Sequence, residues 1–140
     1  MGILVIAEHD NGAVQAATLN TVTAARVLGT DIDVLVAGQG CSQVGECAAK
    51  IEGVTRVLLA DDPVLEHQLV ESLATVIAGL ANGYTHLLAP ASTFGKNVMP
   101  RVAALVDVQQ ISDISAIVAE DTFVRPIYAG NALATVRSSD

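Results

Sequence analysis

The sequence contains few aromatic residues and few positive charges. Its 140 residues include two Phe, two Tyr and no Trp, and seven Lys and Arg stand against fifteen Asp and Glu. Proteins that bind nucleic acid stack bases on aromatic rings and neutralise phosphates with basic side chains. A formal net charge of −8 has the wrong sign for that task. The composition therefore excludes nucleic acid as an expected partner.

Cysteine and histidine are also scarce. The two cysteines, Cys41 and Cys47, form no C-x-x-C pair, and the three histidines lie far apart. This spacing does not suit a zinc site, and free thiols are typical of a reducing compartment. No signal-like segment opens the chain, and Asn, Gly, His and Pro interrupt its longest uncharged stretch, residues 72–95. We expect a cytoplasmic protein without membrane insertion.

Apolar residues make up 51% of the chain, and some of them form four short runs. The runs cover residues 3–7, 32–37, 55–60 and 85–89. Successive runs start about 23–30 residues apart, which suits a strand, a crossover helix and the next parallel strand. Three of them are apolar at nearly every position, as in strands covered on both faces. The pattern predicts one α/β domain over residues 1–140, with three αβα layers and a mostly parallel sheet.

Helical patterns fill the gaps between these runs. They cover residues 16–28, a short segment that Ser42 can cap, residues 66–82 and residues 98–106. Asn82-Gly83 offers a left-handed residue to end the third helix. Pro100 fits the fourth helix only if Asn97 caps it, because proline is tolerated in a first turn. In the second helix, Cys47 falls on the predicted buried face, and in the fourth Leu105 does.

A β-rich tail follows residue 107. Residues 115–119, 122–128 and 132–137 are predicted strands, and their links are too short for crossover helices. Such links favour antiparallel pairing. Pro126 within the middle strand predicts an edge position or a bulge.

The tail also carries a predicted interface. It contains two of the five arginines in an otherwise acidic chain. Arg and Tyr are common interface anchors. The residues concerned are Arg125, Tyr128, Asn131 and Arg137. The alternative is that these are ordinary exposed side chains on a sheet edge.

The loop at residues 90–97 has the most varied chemistry of the predicted strand ends. Ser92, Thr93 and Lys96 precede or open a helix, and such a position can hold an anion. Alternatively, the hydroxyls only cap and turn the backbone. The loop is not a P-loop, and no complete G-x-G-x-x-G motif follows the first strand.

Other polar groups suggest structural roles. Glu8, His9 and Asp10 are typical of a solvated strand end, and the alternative is an acid/base cluster. His86 is typical of a hydrogen-bonded histidine in the core or at an edge. A helix N-terminus beside Cys41 can lower the pKa of its thiol, but we do not expect a redox role for this cysteine. Nothing assembles a nucleophile, a base and an oxyanion hole, so we expect no catalytic site in this chain.

Several segments resemble one known family. They are VIAEHDNG at 5–12, ATLNTVTAA at 17–25, DVLVAG at 33–38, APASTFGKNVMPRVAALVDV at 89–108, QISDI at 110–114 and DTFVRPIYAGNALATV at 121–136. In this order they resemble the N-terminal domain of electron transfer flavoprotein α subunits. The similarity extends over essentially the whole chain.

The resemblance implies a docking role in an electron carrier. Members of this family pair with a β subunit and carry FAD. They accept electrons from flavin dehydrogenases of the acyl-CoA dehydrogenase type in fatty acid β-oxidation, and they pass these electrons to a quinone reductase. AMP belongs to the β subunit. In the family FAD is held mainly by a C-terminal domain absent from these residues, so the resemblance implies no flavin ligand among residues 1–140. The alternative is a stand-alone adenine-nucleotide-binding module of the universal-stress type.

Overall fold

A parallel sheet forms the centre of the molecule. The computed structural model describes residues 2–10, 12–67 and 69–139. Within these residues the sheet has four parallel strands in the order β3-β2-β1-β4. Their bounds are β1 Gly2–Ile6, β2 Ile32–Gly38, β3 Arg56–Asp61 and β4 Tyr84–Leu88. The predicted α/β fold is therefore confirmed, with strand limits within a residue of those expected at most ends.

Helices cover both faces of this sheet. Their bounds are α1 Ala16–Leu28, α2 Ser42–Ala49, α3 Val70–Leu80 and α4 Thr93–Val106. Val22 of α1 and Val44 of α2 pack on one face, and Ile77 of α3 and Val98 of α4 on the other. Every residue of β1 and β2 is buried, whereas β3 and β4 lie at the edges and are partly exposed. Burial on both faces explains why the central strands do not alternate.

The third helix is shorter than predicted. Short 3-10 turns at Pro63–Leu65 and Ala81–Gly83 flank α3. Asp62 caps the first turn, accepting a hydrogen bond from the Val64 amide at 3.0 Å. The prediction that Asn82-Gly83 supplies a left-handed residue to end the helix is wrong, because neither residue has a positive φ and the 3-10 turn leads directly into β4. Gln68, within the predicted helix, lies outside the described residues.

The fourth helix begins earlier than predicted. Ser92, and not Asn97, is its N-cap, with a side chain that accepts from the Gly95 amide. Pro100 consequently lies inside α4, where it removes the amide that would bond to the Lys96 carbonyl. Leu105 was expected on the buried face but is 54% exposed. The observed buried positions lie toward the start of the helix, at Val98 and Val102.

The second helix also differs in detail. Cys41 occupies the N-cap position without a side-chain cap bond, and Ser42 is the first helical residue, so the predicted Ser42 cap is wrong. Cys47 is exposed rather than buried. The cause is the position of Gly45, which is buried on the side of α2 that lies against Val57 and Leu59 of β3. This contact turns Cys47 toward solvent.

The β-rich tail forms a second sheet. Its strands, β5 Ala116–Ala119, β6 Thr122–Ile127 and β7 Ala132–Arg137, pair antiparallel in chain order, as predicted. Strand β5 packs against α1. Of the two roles predicted for Pro126, the bulge is not found, because the irregularity in pairing lies in β5, but the edge position is confirmed, because β6 has only one neighbouring strand at Pro126. Pro126 pairs with Leu133 of β7, whereas pairing with β5 ends at Val124, so the proline lies beyond the three-stranded part.

Candidate functional site

The strand order defines one crevice where an open α/β sheet would hold a ligand. From β1 the chain adds β2 and then β3 on one side of the sheet, and it then returns to add β4 on the other side of β1. The strand order therefore reverses between β1 and β4. Ligands of such sheets bind outside the carboxyl ends of the strands at this reversal. Here the crevice is bordered by Glu8 after β1 and by the loop before Ser92 after β4.

A carboxylate of the chain itself lies in this crevice. The Ser92 hydroxyl donates to Glu8 Oε1 at 2.7 Å. The Glu8 backbone is fixed in turn by the start of α1, because its amide donates to Thr18 Oγ1 at 2.9 Å and its carbonyl accepts from the Gln15 amide. Ser92 caps α4, so the carboxylate lies beside the positive end of the helix dipole, where a negative charge is stabilised.

The other residues of the predicted anion loop have different neighbours. Lys96 Nζ lies 3.5 Å from Asp113 Oδ1, and Thr93 is an exposed residue at the first position of α4. Ser92 contacts Glu8, Lys96 contacts Asp113, and both contacts are to negative groups. An anion site at Ser92, Thr93 and Lys96 stays a prediction.

The end of β1 is less solvated than predicted. His9 is buried and its Nε2 donates to the Ala37 carbonyl at 2.7 Å, so describing it as part of a solvated strand end is wrong. Asp10 is exposed as expected, and hydrogen bonds from the Gly12 and Ala13 amides lower its pKa. At Cys41 the helix N-terminus does not lower the pKa of the thiol. Burial raises the pKa of that thiol, and the nearby Asp61 charge adds to the effect.

His86 links the two sheets. It lies on β4, an edge strand, and its Nε2 donates to the Glu120 carbonyl at 2.7 Å in the turn between β5 and β6. Its Nδ1 lies 2.9 Å from Thr85 Oγ1. The histidine is therefore a satisfied edge residue, one of the two roles predicted for it.

Sequence reasoning missed an ionic cluster around a buried carboxylate. Asp33 of β2 is only 2% exposed, and its Oδ2 accepts from Arg56 Nη2 at 2.8 Å, Arg56 Nε at 2.9 Å and the Tyr84 hydroxyl at 2.6 Å. The cluster ties β2 to β3 and β4 at the amino ends of the strands, opposite the crevice. One signal was available: a carboxylate inside the otherwise apolar run IDVLVAG. Its position indicates a structural role.

The cluster makes stability depend on pH. Burial favours a higher pKa for Asp33, but hydrogen bonds from Arg56 and Tyr84 outweigh it, and the net pKa is lowered. A carboxyl with a lowered folded-state pKa adds stability above its unfolded pKa of about 3.9, and the contribution is lost as pH falls through the folded value. The cluster should therefore stabilise the fold at neutral pH and cease to do so in strong acid.

Replacing Tyr84 with phenylalanine tests this dependence. The variant loses one hydrogen bond to a buried charge and is expected to be less stable by about 1–2 kcal/mol at pH 7. The loss should shrink at a pH below the lowered pKa of Asp33, where the carboxyl is protonated. Urea unfolding at both pH values measures the difference. Tyr128→Phe is the matched control, because Tyr128 is 78% exposed and should be neutral; an equal loss at both pH values contradicts the prediction.

The predicted interface residues lie in the tail in varied settings. Arg125 is partly buried, and its Nη2 donates to Ser112 Oγ at 3.2 Å. Arg137 Nε donates to Asp121 Oδ2 at 2.8 Å, and Tyr128 and Asn131 are exposed. Their role in an interface stays a prediction.

The described residues hold no metal-binding cluster and no membrane-spanning helix. Across residues 2–10, 12–67 and 69–139, no group of three or more His, Cys, Asp and Glu side chains could hold a metal ion. Over the same residues, no helix has both the length and the apolar character that crossing a bilayer requires.

Comparison with known proteins identifies the family. A family model described as the electron transfer flavoprotein domain matches residues 3–140. The chain is 63% identical to the electron transfer flavoprotein subunit alpha of Pseudomonas aeruginosa, over 99% of this chain and 45% of the relative. Identity is 52% with the mitochondrial subunit alpha of Dictyostelium discoideum (98% and 41% covered) and 52% with the subunit alpha of Paracoccus denitrificans (100% and 46%).

The extent of these matches is as informative as their identity. They run through nearly the whole chain, which spans less than half the length of the relatives. The resemblance predicted from the sequence segments is confirmed. This chain belongs to the electron transfer flavoprotein family.

Proposed function

We propose that this chain is the N-terminal, subunit-docking domain of an electron transfer flavoprotein α subunit. The observation that carries the proposal is 63% identity to one such subunit over 99% of the chain. Residues 1–140 form the single domain, and its role is to hold the β subunit. The cytoplasm is the compartment that the sequence predicts.

The complete protein would act as an electron carrier and not as a catalytic enzyme. In this proposal it accepts electrons from flavin dehydrogenases of the acyl-CoA dehydrogenase type and passes them to a quinone reductase. FAD supplies the redox chemistry when bound, and AMP is held by the β subunit. These roles belong to the complete protein, and the chain spans only 45% of its Pseudomonas aeruginosa relative. The roles are therefore proposed from family membership.

The residues of the crevice do not suit FAD or AMP. Both ligands carry phosphate. A phosphate bound beside the N-terminus of α4 would lie next to the Glu8 carboxylate, which accepts a hydrogen bond from Ser92 there. Two negative groups at one helix end repel each other. Lys96, in the first turn of the same helix, contacts Asp113 instead. This supports placing the flavin outside the chain.

Absorbance and calorimetry test the placement of the cofactor. The purified chain is expected to lack flavin absorbance after incubation with FAD and to show no micromolar binding of AMP or ATP. The full-length Pseudomonas aeruginosa α subunit with its β subunit serves as the positive control. Stoichiometric FAD on the 140-residue chain would contradict the placement.

Family membership does not favour the alternative of a stand-alone adenine-nucleotide-binding module. The Glu8 carboxylate in the crevice also argues against it. Micromolar AMP binding in the calorimetry would revive that alternative. Co-purification with the Pseudomonas aeruginosa β subunit tests the docking role directly, and failure to form a 1:1 complex would contradict it.

A further inference from the structure

Arg125 is a partly buried cation without a counter-charge. It lies in β6, the middle strand of the antiparallel sheet. Its Nη2 donates to the neutral Ser112 hydroxyl at 3.2 Å, and its Nε is buried without a hydrogen-bond partner. Among the described residues, no carboxylate lies within 4 Å of this guanidinium, whereas Arg56 and Arg137 each bond a carboxylate through Nε.

This arrangement destabilises the isolated chain. Removing a charge from water costs free energy unless an opposite charge or a full set of hydrogen bonds replaces the water. Acidic groups are plentiful, fifteen against seven basic ones, yet none of the described ones pairs with Arg125. The fold therefore retains a cation that its own side chains leave uncompensated.

The surroundings of Arg125 suit a protein surface. In the strand register Arg125 pairs with Ala134, and Ile127 with Ala132, so these side chains share one face. That face is partly exposed and apolar around the guanidinium. A guanidinium surrounded by apolar side chains is typical of the anchor residues of protein interfaces.

The turn beside this face is strained. Tyr128, Ala129 and Gly130 all have positive φ, at 51°, 53° and 88°. Consecutive non-glycine residues in this region cost free energy, and such strain concentrates at functional positions. The turn also presents Tyr128, which is 78% exposed.

We propose that Arg125 anchors the interface with the β subunit by pairing with a carboxylate side chain of that subunit. The inference rests on the proposed docking function and adds its chemistry. The β subunit supplies the missing negative charge, and Ile127, Ala132 and Ala134 exclude water around the pair. A pair shielded in this way is stronger than one in water.

Arg125→Met separates this role from a structural one. Removing an uncompensated cation is expected to raise the melting temperature of the free chain by about 2–4 °C. The same variant is expected to bind the Pseudomonas aeruginosa β subunit about 10- to 100-fold more weakly, and Arg125→Glu more weakly still. Raising salt from about 0.05 to 0.5 M should weaken the wild-type complex more than the Arg125→Met complex.

Two control variants match this change. Arg137→Met removes an arginine that bonds Asp121, so it should not raise the melting temperature. Arg101→Met removes one charge from the exposed side of α4 and should leave affinity within about twofold, because surface charges contribute little.

The outcomes are distinct. A lower melting temperature for Arg125→Met would show that the arginine stabilises the fold, and would overturn the inference. Equal affinity of wild type and Arg125→Met for the β subunit would overturn it as well, while leaving the docking function intact. If the wild-type chain does not bind the β subunit, the proposed function fails and the inference fails with it.

Discussion

Gly95→Ala is expected to destabilise the chain by about 3 kcal/mol or more. Gly95 is buried in the first turn of α4, and a Cβ there would overlap the carbonyl oxygen of Pro90. That oxygen is a backbone atom in the loop that leaves β4, so it cannot rotate away as a side chain could. The helix start must shift, which breaks the Ser92 cap and its hydrogen bond to Glu8.

Gly79→Ala is the matched control for this substitution. Gly79 is exposed in α3, and an added Cβ would meet no atom within 4 Å. Alanine is a better helix former than glycine, so this variant should gain about 0.5–1 kcal/mol. Urea unfolding followed by far-ultraviolet circular dichroism measures both variants. A Gly95→Ala protein as stable as the wild type would show that the Pro90 loop is not tightly packed.

Leu4→Ala has the second large expected effect, a loss of about 3–5 kcal/mol. Leu4 lies in the middle of β1, is fully buried, and belongs to the core between the sheet and the helices α3 and α4. Truncation leaves a cavity there, because the two-sided packing of β1 prevents the surrounding residues from closing it. The same unfolding measurement gives the change in free energy of unfolding.

Leu105→Ala controls for the chemical change. Leu105 is 54% exposed on α4, so its truncation opens no cavity, and alanine favours the helix. We expect stability within about 0.5 kcal/mol of the wild type. A large loss at Leu105 would restore the sequence prediction that this residue is buried.

The sheet was predictable because its signal is local. Strands β1 and β2 are apolar at nearly every position, and burial on both faces is the physical reason. The spacing between the apolar runs then predicted parallel strands joined by crossover helices, and the short links after β5 and β6 predicted antiparallel pairing. Each of these inferences used residues close together in the chain.

The first residue and the buried face of each helix were less predictable. Several nearby residues are equally suitable by local sequence, and contacts with distant parts of the chain decide between them. Ser92 and Asn97 are both good caps, and the structure uses Ser92, which also bonds Glu8. Cys47 follows an apolar pattern, but the contact of Gly45 with β3 turns it outward. No local pattern contains these contacts.

The sequence by itself determined the layers of the domain, the buried strands and the family, because apolar periodicity and long matching segments are local properties. Tertiary structure alone decided which polar groups meet. Arg56 and Tyr84 are 23 and 51 residues from Asp33, and Ser92 is 84 residues from Glu8. The pairing of such distant side chains depends on strand order and on the packing of helices against the sheet. For the same reason, it is the fold that leaves Arg125 without a counter-charge among the described residues.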